Sequence, residues 1–203
     1  MRRRLWWILS VFGVGVIALF AFVRGTGISA IRQPFPGEDR IAKAAWRFLI
    51  PGDIRAAINP VANTTEVLQD GLEHFADHCA VCHANNGSGD TMVGRRVFPP
   101  SPDLRGPRTQ GLTDGELFYA IENGIPWTAM PAWRNGTPEG VESSWALVRF
   151  IRHLPALTPE ELSQMERFNP KSPADLERDR AIDEFLRGGA TPPKVTTTGH
   201  THK

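Results

Sequence analysis

The chain has 203 residues, enough for one compact domain with appendages but not for two large cores. Its composition, 41% apolar and 22% charged, is that of a folded protein, and 23 lysines and arginines against 22 acids leave it close to neutral. Arg2, Arg3 and Arg4 precede the first apolar run, so the remainder is slightly acidic. This excludes the basic face that nucleic acid requires and makes long-range steering of partners weak.

The first element is an uncharged run over residues 5–23, LWWILSVFGVGVIALFAFV. As a helix it reaches about 28 Å, close to the hydrocarbon thickness of a bilayer. The preceding arginines keep residues 1–4 in the cytoplasm and send the body outward, with Trp6 and Trp7 at the interface. A cleaved secretory signal is the competing reading. The run is longer than a usual signal core, however, and Ala18-Leu19-Phe20 ends in a bulky residue where a small one is needed. An uncleaved anchor is expected, and both readings export the body.

Residues 24–37 carry glycine and proline and read as a loop within a juxtamembrane linker, 24–61. Inside that linker, EDRIAKAAWRFLI (38–50) sets Ile41, Ala45 and Phe48 at helical spacing before Pro51-Gly52. A helix capped by Asn63, with Glu66 at its third position, then carries Val67, Leu68, Leu72 and Phe75 into Cys79-Ala80-Val81-Cys82-His83. The glycine-rich NNGSGD and proline-rich VFPPSPDLRGP stretches that follow are loops. A second helix starts at Thr113 with Glu116 three residues on and stops at Gly124. A third starts at Thr137-Pro138, carries Val141, Trp145, Val148 and Ile151, and ends before Pro155. Thr158-Pro159-Glu160-Glu161 and Ser172-Pro173-Ala174-Asp175 open two more helices, the latter ending at Gly188-Gly189. Residues 189–203 read as a disordered tail, and its HTHK ending as solvated. No strand pattern is present, so the fold class is all-α.

Two cysteines three apart with histidine next form the haem attachment signature C-x-x-C-H. Thiols on adjacent turns add to the two vinyl groups on one edge of the macrocycle, and the next residue brings its imidazole to the iron. Two cysteines placed at random in such a chain fall three apart only about 1% of the time, before the histidine is required. A redox C-x-x-C usually opens a helix, whereas this one follows a helix and lies in no βαβ pattern. Zinc needs a second pair of ligands, and no other cysteine exists; His74, His78 and His153 read as helix-face residues. One covalent haem c is therefore expected, held by Cys79, Cys82 and His83. The distal candidates are Met92, Met130, Met165, His153 and the terminal histidines, and Met130 stands out in its proline-braced loop, GIPWTAMPAW.

Together, CAVCH and GIPWTAMPAW resemble the class I-like bacterial monohaem cytochrome c family, in which a G-(I/V)-P-x-T-x-M-P-x-(W/F) segment supplies the distal methionine. The resemblance covers residues 62–156. It implies a cytochrome c fold, the haem enclosed by three or more helices, with Met130 as second iron ligand beside His83. It further implies that a proline carbonyl orients the proximal histidine. Pro99, Pro100 and Pro102 are candidates, with Pro100 counted among the cofactor-binding residues. Arg105 is expected at a haem propionate, Trp127 and Trp133 against the ring, and Phe118, Trp145 and Phe150 in the core.

The function implied is electron transfer rather than catalysis. The protein would be a single-pass protein of the bacterial inner membrane with its haem domain on the periplasmic face. It would exchange electrons with donor and acceptor proteins in or at the membrane and take no small-molecule substrate. A dedicated cytochrome subunit of a dehydrogenase or oxidase complex is the alternative, favoured by the extension at 157–188. A haem sensor or peroxidatic enzyme with a labile distal methionine is a further one. The extension is expected either to cover the core or to dock a partner.

Overall fold

The computed structural model describes residues 2–27, 29, 36–171 and 173–188. The expected tail and the cap at Ser172 lie outside these residues. Every regular element among them is helical, as the sequence predicts. Helix α1 (Arg2–Thr26) extends the apolar run by three residues at either end, and its Trp6–Gly25 stretch is long and apolar enough to cross a membrane. Helix α2 (Glu38–Leu49) falls where the spacing predicts, and Pro51 leads directly into a single turn, α3 (Gly52–Arg55).

Helix α4 (Thr65–His74) starts one residue later than expected. Thr64 is the cap, its hydroxyl accepting from Val67 N at 3.4 Å, so Glu66 falls at the second helical position, one short of the capping box expected with Asn63. The helix then widens into a π turn, Phe75–Cys79, before α5 (Ala80–His83). A π turn holds one extra residue, which rotates everything after it by about 100° relative to a continuous α-helix. Leu72, Phe75, Ala76 and Ala80 thus stay in the core while Cys79, Cys82 and His83 turn to its edge.

After the short α6 (Pro107–Gln110), α7 (Asp114–Asn123) opens with the expected reciprocal box between Thr113 and Glu116 and ends at Gly124. Helix α8 (Pro138–His153) is capped by Thr137 with Pro138 in its first turn. It packs along α4 at Gly71, where a Cβ would stand 2.7 Å from the Ala146 carbonyl oxygen and 2.8 Å from Phe150 Cβ. Phe75 and Phe150 meet beside this crossing with ring centroids 5.3 Å apart, and Phe118 stacks on Trp145 at 4.1 Å. The expected aromatic core is therefore present. Arg149 binds the linker to α8 through the Val61 carbonyl at 2.8 Å.

Helix α9 (Pro159–Met165) repeats the Thr-Pro capping box from Thr158. Met165 is completely buried within the same core as Phe75 and Leu154, with Leu157, Leu162 and Phe168 packed against it. Asn169 donates to the Ala76 carbonyl at 2.9 Å and exchanges hydrogen bonds with Asn85, two residues past His83. Residues 157–169 thus close the core, whereas Leu176, Phe185 and Leu186 of α10 (Pro173–Leu186) are exposed. The segment 157–188 divides into two parts.

Stopping the chain after Ala156 exposes the Met165 site, where truncation of a buried methionine alone costs about 2–5 kcal/mol. That protein is expected to yield little stable haem-loaded material. One stopped after Lys171 should keep its spectrum and melt within a few degrees of the full chain. Haem per chain and the thermal midpoint of the two truncations provide the comparison.

Candidate haem site

His83 closes α5, and the chain leaves it through Ala84 in a left-handed conformation, φ 59° and ψ 155°. Few non-glycine residues hold this geometry without support from their surroundings. Here the following loop wraps back on the motif. Gly89 N donates to the His83 carbonyl at 2.8 Å, and the Thr91 hydroxyl donates to the Val81 carbonyl at 2.9 Å. Backbone approaches backbone closely: a Cβ on Gly94 would lie 2.3 Å from the Cys82 carbonyl oxygen. One on Gly89, itself at φ +72°, would lie 2.4 Å from the Ser101 carbonyl oxygen. Ser101 N donates to Gly94 O and Leu104 N to Gly87 O, so the proline stretch is fixed against the motif.

This wrapping decides which proline faces the histidine. His83 Nδ1 is buried and completes no hydrogen bond of ordinary geometry. Burial lowers the pKa of the ring, and the backbone carbonyl acting against that shift belongs to Pro102. The carbonyl facing His83 is thus that of Pro102 and not of Pro100 or Pro99. An Nδ1–H aimed at it leaves the Nε2 lone pair as the donor, the tautomer an iron ligand needs.

Cys79 and Cys82 are half-buried free thiols. Burial, reinforced by Cys82, pushes the Cys79 thiol up to about 12. A redox or metal-binding cysteine is tuned in the opposite direction, toward thiolate. The buried, orphaned imidazole nitrogen and the paired thiols on one helical turn together fit covalent haem.

Met130 is half-buried in a loop whose motif residues each have a mechanical role. Gly124 takes φ +67°, and a Cβ on it would lie 2.7 Å from the Met130 carbonyl oxygen. Thr128 donates its hydroxyl to Ile125 O at 2.8 Å and accepts from Met130 N at 3.1 Å. Trp133 N donates to Ile121 O, and the Trp133 ring meets His78, the residue before Cys79, edge-on at 5.3 Å. The methionine loop and the cysteine motif are thereby joined.

The other expected residues divide. Trp127 is 95% exposed, at φ 58°. Arg105 does not hold its fork free: Nε and one terminal nitrogen bind both oxygens of Asp103, at 2.9 and 2.8 Å. The His74 Nδ1 bonds the Ser143 hydroxyl at 2.8 Å, and burial with His78 beside it lowers its pKa. Sequence reasoning passed over Thr91 and the buried Glu122, whose carboxylate accepts from Ser144 at 2.6 Å. The Thr-x-x-Gly spacing of Thr91 and Gly94 was the available signal for the former.

An all-helical domain that sets C-x-x-C-H on such a turn defines a c-type cytochrome domain. Residues 66–151 match the family model described as cytochrome C oxidase, cbb3-type, subunit III, a stretch that contains both cysteines, His83 and Met130. The chain thus carries a c-type cytochrome domain, a module that binds haem c covalently and transfers electrons. The match takes in less than half of the chain.

Gly94→Ala forces the Cys82 carbonyl and the loop apart. Overpacking against backbone costs about 1–3 kcal/mol. The variant is expected to melt lower and to mature with less haem per chain, with Gly106→Ala, where the nearest atom to a Cβ is 3.5 Å away, as an unaffected control.

Proposed function

We propose that the protein is a membrane-tethered electron carrier whose haem iron is ligated by His83 and Met130 on the outer, periplasmic face of a bacterial inner membrane. The observation that carries this reading is the junction of the two motif segments: Trp133, three residues past Met130, sits against His78, one residue before Cys79. When bound, the haem supplies one-electron Fe(III)/Fe(II) chemistry, and a methionine thioether favours the ferrous state and raises the potential. Cys79 and Cys82 would hold the group covalently and His83 would present Nε2 with Pro102 orienting its ring, while the Thr128 hydrogen bonds fix the Met130 backbone. A ligand pair held this firmly leaves no position open for substrate. Arg2, Arg3 and Arg4, in the first turn of α1 ahead of its apolar stretch, support the cytoplasmic placement of the N-terminus.

A second reading, a dedicated subunit of an oxidase or dehydrogenase complex, is favoured by the description of the matching family, which names an oxidase subunit. The exposed apolar residues of α10 give it a surface. Purification of the full chain in mild detergent separates the two: a carrier comes away alone, and a subunit stays with its partners in fixed ratio.

Met130→Ala tests the ligation. The variant is expected to bind carbon monoxide readily when reduced, to lose the near-infrared Fe(III)–methionine band and to fall in potential. An unchanged near-infrared spectrum would reassign the ligand. Ready carbon monoxide binding by the unsubstituted protein would instead mark a sensor or peroxidatic site.

A further inference from the structure

A surface helix ordinarily turns its apolar stripe inward and its charges to water. Helix α2 does the reverse. At 100° per residue, Ile41, Ala44, Ala45 and Phe48 form one face, with Leu49 and Glu38 at its edge, and Asp39, Lys43 and Arg47 lie opposite together with Trp46, whose Nε1 is buried. The charged face is the one that meets the haem domain. Arg47 Nε donates to the buried Glu116 carboxylate at 2.6 Å, Lys43 donates to the Arg108 carbonyl, and Asp39 pairs with the Arg108 guanidinium. Burial, followed by Arg108 and Arg47 nearby, lowers the pKa of Lys43, as expected for an ammonium held against the domain. The apolar face points out: Ile41 is 74% exposed, Phe48 84% and Leu49 70%.

Water does not favour that arrangement, and the chain itself indicates what does. Helix α2 begins twelve residues after the end of the membrane-length helix α1. A connection of that length spans about 40 Å at most, even fully extended. The inverted helix is therefore tethered within about 40 Å of the point where α1 leaves the bilayer. A helix with aliphatic and aromatic residues on one face and charges on the other is the form that lies in the headgroup region. We propose that α2 lies on the bilayer with its Ile41–Phe48 face in the lipid, and that its ion pairs to Arg108 and Glu116 transmit this attachment to the haem domain and fix its orientation. The proposal rests on the reading of α1 as a retained anchor.

The test uses full-length haem-loaded protein in vesicles of phosphatidylcholine and phosphatidylglycerol. The two native cysteines are consumed by the haem, so a spin label can be placed at Phe48→Cys, at Ala45→Cys on the same face, and at Glu160→Cys as an exposed control on α9. Collision with oxygen, which concentrates in lipid, is compared with collision with a water-soluble nickel chelate. The oxygen-to-nickel ratio is expected to be several-fold higher at 45 and 48 than at 160. Equal ratios at all three positions in protein that floats with the vesicles would overturn the proposal and leave the anchor standing. Labels at 45 and 48 screened from both probes would also overturn it, since a protein surface, from a partner or a second copy, would then cover the face. Protein that does not float would remove the anchor and the proposal together.

Discussion

The crossing of α4 and α8 at Gly71 is the contact on which the rest of the molecule hangs. The Ala146 carbonyl and Phe150 stand where a side chain at position 71 would be. That closeness lets Phe75 meet Phe150 and seals the core below the motif. Every functional segment is attached to this pair. The cysteine motif is the continuation of α4, and the methionine loop returns through Trp133 to Ile121 and His78. Met165 and Asn169 seal the far side through the core and the Ala76 carbonyl. Displacing one helix would move both iron-ligand candidates at once.

Two buried carboxylates extend this frame with charge. Glu116 is wholly buried, receives Thr113 N at 2.9 Å and takes Arg47 from α2. Glu122, nearly as buried, accepts from Ser144 on α8 at 2.6 Å and has Arg134 Nε at 3.4 Å. A charge removed from water is tolerated when donors surround it, and breaking one partner then costs more than the pair contributes. Both carboxylates lie on α7, so this helix is bound to α2 on one side and to α8 and the methionine loop on the other. Helix α2 and the haem site thus share one element.

What was legible in the sequence was what rests on local chemistry. Thr113, Thr137 and Thr158 announce their helices because a hydroxyl followed by proline or acid satisfies orphan amides wherever the chain lies. The cysteine motif is legible for the same reason, its covalent chemistry being local. The one-residue error at Asn63 arose because Asn63 and Thr64 are both competent caps, and the extended backbone of Thr64 made the choice. The π turn at Phe75–Cys79 has no sequence mark, since it comes from fitting the motif to the core edge. Met165 looked peripheral because α9 is short and acidic; its burial depends on where α4 and α8 leave a gap. Pro102 could not be chosen over Pro99 and Pro100 because the choice depends on how the loop folds at Gly89 and Gly94.

Backbone strain gives a line of support for the two proposed ligands, His83 and Met130, that is independent of any motif. Among the described residues, the two non-glycine residues with positive φ are Ala84 and Trp127. The first follows His83 directly, and the second stands three residues before Met130. Each such conformation costs about 1–3 kcal/mol and persists only where the surroundings over-determine it. At Ala84 the surroundings are the hydrogen bonds of the returning loop. At Trp127 they are the Ile125–Thr128 and Ile125–Met130 backbone bonds, which close a tight turn and leave the indole outside. A flexible loop would relax such residues, so their retention means that both segments are stiff. Stiffness at the ligands is what an electron carrier requires, because the iron must change charge without its coordinating side chains moving. Strain beside both proposed ligands thus supports a site built to hold two ligands still rather than to release one.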